Sequence, residues 1–335
     1  MLEVTALGWT LTIAVIVALL ALDLTLGVVR PHAVGFREAA AWSVFYVAVA
    51  VAFGFVLAGV SGWDVGTQYF AGYLVEKSLS VDNLFVFVII MSTFAVPAKY
   101  QQEVLTFGIV IALVLRVIFI ALGATLLSLF SFMFLIFGLV LIWTAVQLFR
   151  HRGKTPQVED NALVRAARRV LTVTDDYVGG KMITKVDGKR VVTPLLIALV
   201  AIGSSDLLFA LDSIPAVFGV TDEAYLVFVA NAFALLGLRA LFFLVKGLLD
   251  RLVYLSAGLS VILAVIGVKL VLHWAHSDLS PAVPEIGTTV SLAVIVVVLA
   301  VTTVASLLRT RNRKGPDAGT DPETRKDPDT QGARV

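Results

Sequence analysis

The chain has 335 residues, of which 59% are apolar and only 15% charged, with a mean hydropathy of +0.94 and a net charge of +2. Soluble domains carry about 25% charged and 45–50% apolar residues, so this composition excludes a pair of soluble domains and points to a polytopic membrane protein. The chain has no cysteine, which excludes a disulfide framework, a zinc–thiolate site and an iron–sulfur cluster.

A membrane span needs about 20 mostly apolar residues. Nine segments qualify: 8–29, 39–60, 67–92, 104–123, 127–149, 194–218, 224–245, 251–272 and 287–308. The expected fold class is therefore all-α, a polytopic bundle of nine transmembrane helices. The first segment reads as a span and not a cleaved signal, because no basic residue precedes it and Asp23 interrupts it. Trp9, Trp63, Trp143 and Trp274 fall near span ends, where indole rings favour the headgroup layer.

Placement of Lys and Arg orients the bundle. With the N-terminus outside, 22 of the 26 Lys and Arg fall in inner loops and the C-terminal tail, and the outer loops hold none. The expected topology is N-out, C-in. By domain, residues 1–149 carry spans one to five, 150–193 form a basic cytoplasmic loop, 194–308 carry spans six to nine, and 309–335 form a disordered cytoplasmic tail. Within the loop, Leu163 to Leu171 reads as a short basic helix suited to anionic lipid headgroups. Lys181 to Thr193 flanks Asp187-Gly188 with β-type residues, a hairpin pattern. Two readings of the loop stand: a small ordered subdomain, or a solvated basic loop that enforces topology.

Nine ionisable residues lie inside predicted spans: Asp23, Glu76, Asp82, Asp206 and Asp212, with Lys77, Arg116, Arg239 and Lys269. An unpaired charge near the bilayer centre costs roughly 2.5–3.5 kcal/mol on insertion scales, and such residues are functional candidates by default. Their order is regular. Glu76-Lys77-Ser78-Leu79-Ser80-Val81-Asp82-Asn83 in span three matches Asp206-Leu207-Leu208-Phe209-Ala210-Leu211-Asp212-Ser213 in span six, each with two acids six apart and a polar residue after the second. Arg116 in span four matches Arg239 in span seven. The offset is 130 residues at the acids and 123 at the arginines. Because spans three and six enter from opposite sides, spans three to five and six to eight read as an inverted repeat, a plan common among secondary transporters.

Six residues of helix rise about 9 Å. The expectation is two layers of carboxylates, Asp82 level with Asp206 and Glu76 level with Asp212. Ser78 and Ser80 in span three, and Pro215 in span six, are expected to open those helices locally. The gathered donors are the carboxylates of Glu76, Asp82, Asp206 and Asp212, the Asn83 amide, the hydroxyls of Ser78, Ser205 and Ser213, and freed carbonyls. These hard oxygens suit Mg²⁺, Ca²⁺ or Mn²⁺. Whether they make one site or two stays open. The bland alternative makes Lys77, Arg116, Arg239 and Lys269 counter-ions that lock the bundle, and it fits the two arginines well. Asp23 has gate, pair and snorkelling readings. His273 and His276, beside Asp278, read as interfacial residues with transient metal capture as the alternative.

The two signatures, Glu76 to Phe85 and Phe209-Ala210-Leu211-Asp212-Ser213-Ile214-Pro215-Ala216, resemble those of the TerC family, which includes the tellurium-resistance TerC proteins and the alkaline-induced Alx proteins. The likeness extends to Ala21-Leu22-Asp23-Leu24, Leu238-Arg239-Ala240-Leu241 and Gly267-Val268-Lys269, over roughly residues 8–272. The resemblance implies a protein of the bacterial cytoplasmic membrane related to LysE-type exporters. It further implies divalent-metal homeostasis, with manganese export as the role of the Alx-like branch. The metal path it implies runs through Glu76, Asp82, Asn83, Asp206 and Asp212. Gly203 stands where many members carry a further acid.

The expected function is export of a divalent cation, Mn²⁺ foremost, in exchange for protons, with no permanently bound cofactor. No nucleotide-binding Gly-x-x-x-x-Gly-Lys-Ser/Thr run is present, and neither an enzyme motif nor a nucleic-acid partner is indicated. The alternative is a membrane scaffold whose loop 150–193 recruits soluble cytoplasmic partners.

Overall fold

A computed structural model describes residues 4–29, 35–151, 165, 169, 172–174, 177–178, 180–186, 189–246 and 254–313. In a bilayer every backbone polar group must be satisfied within the protein, so apolar segments of this length become helices. The helices are α1 (Ala6–Val29), α2 (Phe36–Ser61), α3 (Trp63–Thr93), α4 (Ala98–Leu129), α5 (Phe132–His151), α6 (Pro194–Phe218), α7 (Ala224–Leu235), α8 (Leu238–Lys246), α9 (Leu255–Asp278) and α10 (Thr288–Arg313). Seven are long and apolar enough to cross a membrane, and an eighth crossing results if the bent pair α7 and α8 counts as one. The 31-residue α3 falls outside that set because it carries Glu76, Lys77 and Asp82.

Burial sorts the helices. α1, α2, α5 and α10 expose rows of apolar residues such as Leu11, Phe55, Leu139 and Val297, the faces that lipid would cover. α7 is the most enclosed, followed by α6 and α3, with α4 against them. Their apolar residues form one core around Leu84, Ile90, Leu105 and Ile202 and a second around Leu79, Ile120, Ile214 and Phe218, while aromatics of α2, α3 and α7 form a third around Tyr46, Tyr69 and Phe233.

α5 and α9 make the tightest helix pair. A Cβ on Gly138 would lie 2.8 Å from the Gly267 carbonyl oxygen and 3.1 Å from the Val271 nitrogen. A Cβ on Gly267 would lie 2.8 Å from the Gly138 carbonyl oxygen and 3.1 Å from the Ile142 nitrogen. Only a residue without a side chain permits this reciprocal backbone approach.

The helix breaks are not where the sequence places them. Ser78 Oγ donates to the Leu74 carbonyl at 2.5 Å, a bond back into its own turn, and α3 continues through it. Pro215 sits in the last turn of α6, where the donor it lacks would serve only Leu211, and the helix runs on to Phe218. The discontinuity lies instead between α7 and α8, bent by 47°. There Gly237 has φ +75°, and a Cβ on it would lie 2.5 Å from the Tyr46 ring, a conformation and a fit that favour glycine.

Between α5 and α6, strands β1 (Ile183–Val186) and β2 (Lys189–Val192) pair antiparallel, Ile183 opposite Val192 and Val186 opposite Lys189. Asp187 and Gly188 lie outside the described residues, as do most of 163–171 and all of 314–335. Tyr177 Oη donates to the Phe94 carbonyl at 2.5 Å, which fastens this segment to the α3–α4 turn. Partial burial raises the Tyr177 phenol above its ordinary pKa.

Candidate functional site

Glu76, Ser80 and Asn83 lie at i, i+4 and i+7 on α3, one face of the helix, and all three are buried. Opposite them α4 presents Arg116, α6 presents Asp206 and Ser213, and α7 presents Asn231. Arg116 is 1% exposed, Glu76 0% and Asp206 2%. Arg116 Nη1 donates to Glu76 Oε1, to Asn231 Oδ1 at 2.8 Å and to Ser213 Oγ at 3.3 Å, while Nη2 reaches Asp206 Oδ1 at 3.4 Å. The Asn231 amide closes the ring by donating to Glu76 Oε2 at 3.1 Å. Four helices thus meet on one guanidinium, as dehydrated charges require.

The network leaves something over. Asp206 Oδ2, Arg116 Nε and Ser80 Oγ are buried with no hydrogen-bond partner among the described residues. Two carboxylates on one guanidinium also leave one negative charge.

The expected layering of acids is corrected here. Glu76 shares its counter-ion with Asp206, so the first acids of the two hexads meet. The second acids diverge: Asp82 accepts a bond from Ser256 Oγ of α9 at 2.9 Å, and Asp212 accepts one from Thr144 Oγ1 of α5 at 2.9 Å. Acids six apart point about 120° from each other on a regular helix, and neither helix unwinds to bring them back together. Among the described residues no three Asp, Glu, His or Cys side chains gather as a ready metal cage.

The remaining intramembrane charges have separate duties. Asp23 Oδ1 accepts from Arg239 Nη2 at 3.1 Å, Arg239 Nε at 3.3 Å and Tyr46 Oη at 3.1 Å, which ties α1 and α2 to the first turn of α8. Lys77 donates to the Ala234 carbonyl at 3.1 Å, in the last turn of α7, where a cation suits the helix dipole. Ser205 is buried next to Asp206 in α6. Lys269 lines a cavity elsewhere in the bundle. His276 Nδ1 donates to the Val283 carbonyl at 2.7 Å, Asp278 accepts from Ser131 Oγ at 2.9 Å, and His273 Nδ1 pairs with Glu285 at 2.8 Å.

Asn231, Thr144, Ser256 and Tyr46 escaped the sequence reading. The signal for Asn231 was a lone amide in an apolar run, Val229-Ala230-Asn231-Ala232. A buried amide needs partners, and those partners here are Glu76 and Arg116.

The sequence matches the model of the integral membrane protein TerC family over residues 61–314. The chain belongs to the TerC family. Among its relatives, an uncharacterised membrane protein of Mycobacterium tuberculosis is 46% identical over 319 residues, covering 92% of this chain and 80% of the relative. Another, from Myxococcus xanthus, is 44% identical over 310 residues, covering 92% of this chain and 95% of that protein. A Photorhabdus laumondii protein called Alx, for which a role as a membrane-bound redox modulator has been put forward, is 36% identical over 298 residues, covering 86% and 93%. No solved structure matches. This TerC-family chain is thus an integral, multi-pass membrane protein, and its two signatures carry Glu76 and Ser213 of the network just described.

Proposed function

We propose that this TerC-family protein is a secondary transporter that exports a divalent cation, Mn²⁺ foremost, from the cytoplasm in exchange for protons. The observation that carries the reading is the Glu76–Arg116–Asp206 network, with its uncommitted Asp206 oxygen and its one surplus negative charge. A surplus charge inside a bilayer is most cheaply balanced by a proton. A cation that arrives on the hard oxygens of Asp206, Ser80 and Glu76 releases that proton, while Asn231 and Ser213 retain the Arg116 guanidinium. Asp82 and Asp212, partly exposed on either side, are way-stations on the path. The absence of cysteine removes thiol–disulfide chemistry as a rival explanation of activity, and the reading makes the protein a carrier and not an enzyme.

In this reading α3 is a ninth span that its neighbours, not lipid, accommodate, and the chain sits N-out, C-in in the cell membrane. Spans three to five and six to eight form the inverted repeat. Its support is the reciprocal contact of Gly138 and Gly267, 129 residues apart, beside offsets of 130 at the acids. Glu76 and Asp206 meet because the pseudo-two-fold axis passes near the first acids and not through the middle of each hexad.

The test is total-metal analysis of cells lacking the protein, complemented with wild type or Asp206→Asn, after a manganese challenge. The reading expects the null strain and the variant to hoard manganese while wild type clears it. Equal metal in all strains overturns it. A phenotype that instead follows deletion of residues 152–171 with metal content unchanged favours the scaffold.

A further inference from the structure

α5 and α9 run antiparallel, and beyond the Gly138–Gly267 contact they part into a groove of about 260 Å³. Val146, Phe149 and Arg150 of α5 line it together with Ser260, Val261 and Ala264 of α9. Val146, Phe149 and Val261 are 47%, 48% and 44% exposed, so the groove opens on a face that lipid would cover. The one hydroxyl in the lining, on Ser260, is spent on the Ala257 carbonyl at 2.7 Å. What remains is hydrocarbon with a single charge, the Arg150 guanidinium, in the last turn of α5.

A second cation stands at the same end of the bundle. α10 returns to the start of α9, where Gly258 packs on Thr302 and the Tyr254 amide donates to Ser306 Oγ at 3.0 Å. There the Arg309 guanidinium lies over the Tyr254 ring, 5.3 Å from its centroid, and donates to Tyr254 Oη. Tyr254 precedes Val261 by seven residues, two turns, so it shares the Val261 face of α9 about 10 Å nearer the end. A headgroup layer is about 5–8 Å thick, and that step carries from the groove to headgroup depth. Arg150 and Arg309 make no ion pair among the described residues. Asp82 reaches this end of α9 at Ser256, two residues and so about 160° round the helix from Tyr254.

The groove suits a long apolar segment and its end suits a negative charge. At about 30 Å³ per water-sized group it takes roughly nine such groups, part of one acyl chain. Guanidinium groups hold phosphate in a fixed fork, and a zwitterionic headgroup would bring an ammonium to two unpaired arginines. A second copy of the chain fits worse, because a two-fold axis along the membrane normal would set these arginines against their own duplicates. We propose that this groove binds one anionic phospholipid from the leaflet on the β-hairpin side. An acyl chain lies along Val146, Phe149 and Val261, and the phosphate lies on Arg150 with Arg309 as the second cation. The inference is independent of the transport reading, since none of these residues belongs to the Arg116 network.

The experiment is native mass spectrometry of the purified full-length protein in detergent, titrated with phosphatidylglycerol, with phosphatidylcholine of the same acyl chains, and with inorganic phosphate. Phosphatidylglycerol should be retained about tenfold or more tightly than phosphatidylcholine, at about fivefold for each basic residue near the headgroups. Arg150→Gln and Arg309→Gln, both at exposed positions, should each cut that preference about fivefold. Val261→Trp, which fills the groove from its open side, should weaken both lipids about tenfold and leave their ratio unchanged. Equal retention of the two lipids by the wild type overturns the proposal, as does a preference that survives the double arginine variant. Displacement of phosphatidylglycerol by equimolar inorganic phosphate would make this a site for a free anion and also overturns it. So does a lipid-free dimer that Val261→Trp dissociates, which would give the groove to a second copy.

Discussion

Arg116→Met is the perturbation that most directly probes the buried network. The guanidinium is 1% exposed and touches Glu76, Asp206, Ser213 and Asn231. Methionine fills much of its volume but leaves two carboxylates dehydrated without a counter-charge. Breaking a buried ion pair in this one-sided way costs about 3–5 kcal/mol. At 1.4 kcal/mol per decade, that is roughly two to four decades in the ratio of folded to unfolded protein. The assay is denaturant or thermal unfolding of the purified protein in detergent, with Glu76→Gln and the double variant completing a cycle. Once Glu76 is neutral, the Arg116→Met variant should regain about half of the loss, because Asp206 alone then remains uncompensated. A loss under about 1 kcal/mol for Arg116→Met, or a double variant no better than the single, refutes the claim that charge compensation holds these four helices together.

Other perturbations address the frame around that network. Gly138→Ala, read by unfolding midpoint, should lose about 1–3 kcal/mol because its Cβ meets the Gly267 backbone at 2.8 Å and neither helix can yield alone. Gly237→Ala should lose a similar amount, since φ +75° disfavours a Cβ by about 1–2 kcal/mol and the Tyr46 ring lies 2.5 Å from it. Tyr177 gives a pH signature. Burial raises its phenol in the folded state, so the folded chain holds that proton to higher pH than the unfolded chain. The stabilisation is complete below the ordinary value of about 10 and is lost as pH rises above it. Amide exchange in the β-hairpin should therefore quicken above that pH, and Tyr177→Phe should exchange faster at neutral pH and lose the alkaline limb.

The helix positions were readable because the bilayer imposes one rule on each segment separately: about 20 apolar residues, with backbone bonds closed internally. The intramembrane charges stood out for the same reason, and the pairing of Arg116 and Arg239 with acids followed from their scarcity. Which acid each arginine takes depends on the rotation of four helices and on where the two halves cross. No local pattern around Glu76 or Asp206 records either quantity. The helix breaks were misplaced because the sequence shows the breaker and not its surroundings. Ser78 finds Leu74 in its own turn and Pro215 lies too near a terminus to interrupt much. Gly237 looked like part of an unbroken Leu-Leu-Gly-Leu run until the Tyr46 ring packed against it. Asn231 was overlooked because one amide among alanines has meaning only beside the guanidinium that it orients.

The measurement that tests the central claim most directly is cation flux in a defined membrane. The purified chain, reconstituted into liposomes that enclose a Mn²⁺-sensitive dye and a pH dye, should take up Mn²⁺ with opposite movement of protons, and Asp206→Asn should abolish both signals. Mn²⁺ entry no faster than into empty liposomes, or flux that survives Asp206→Asn unchanged, would contradict transport through the Glu76–Arg116–Asp206 network.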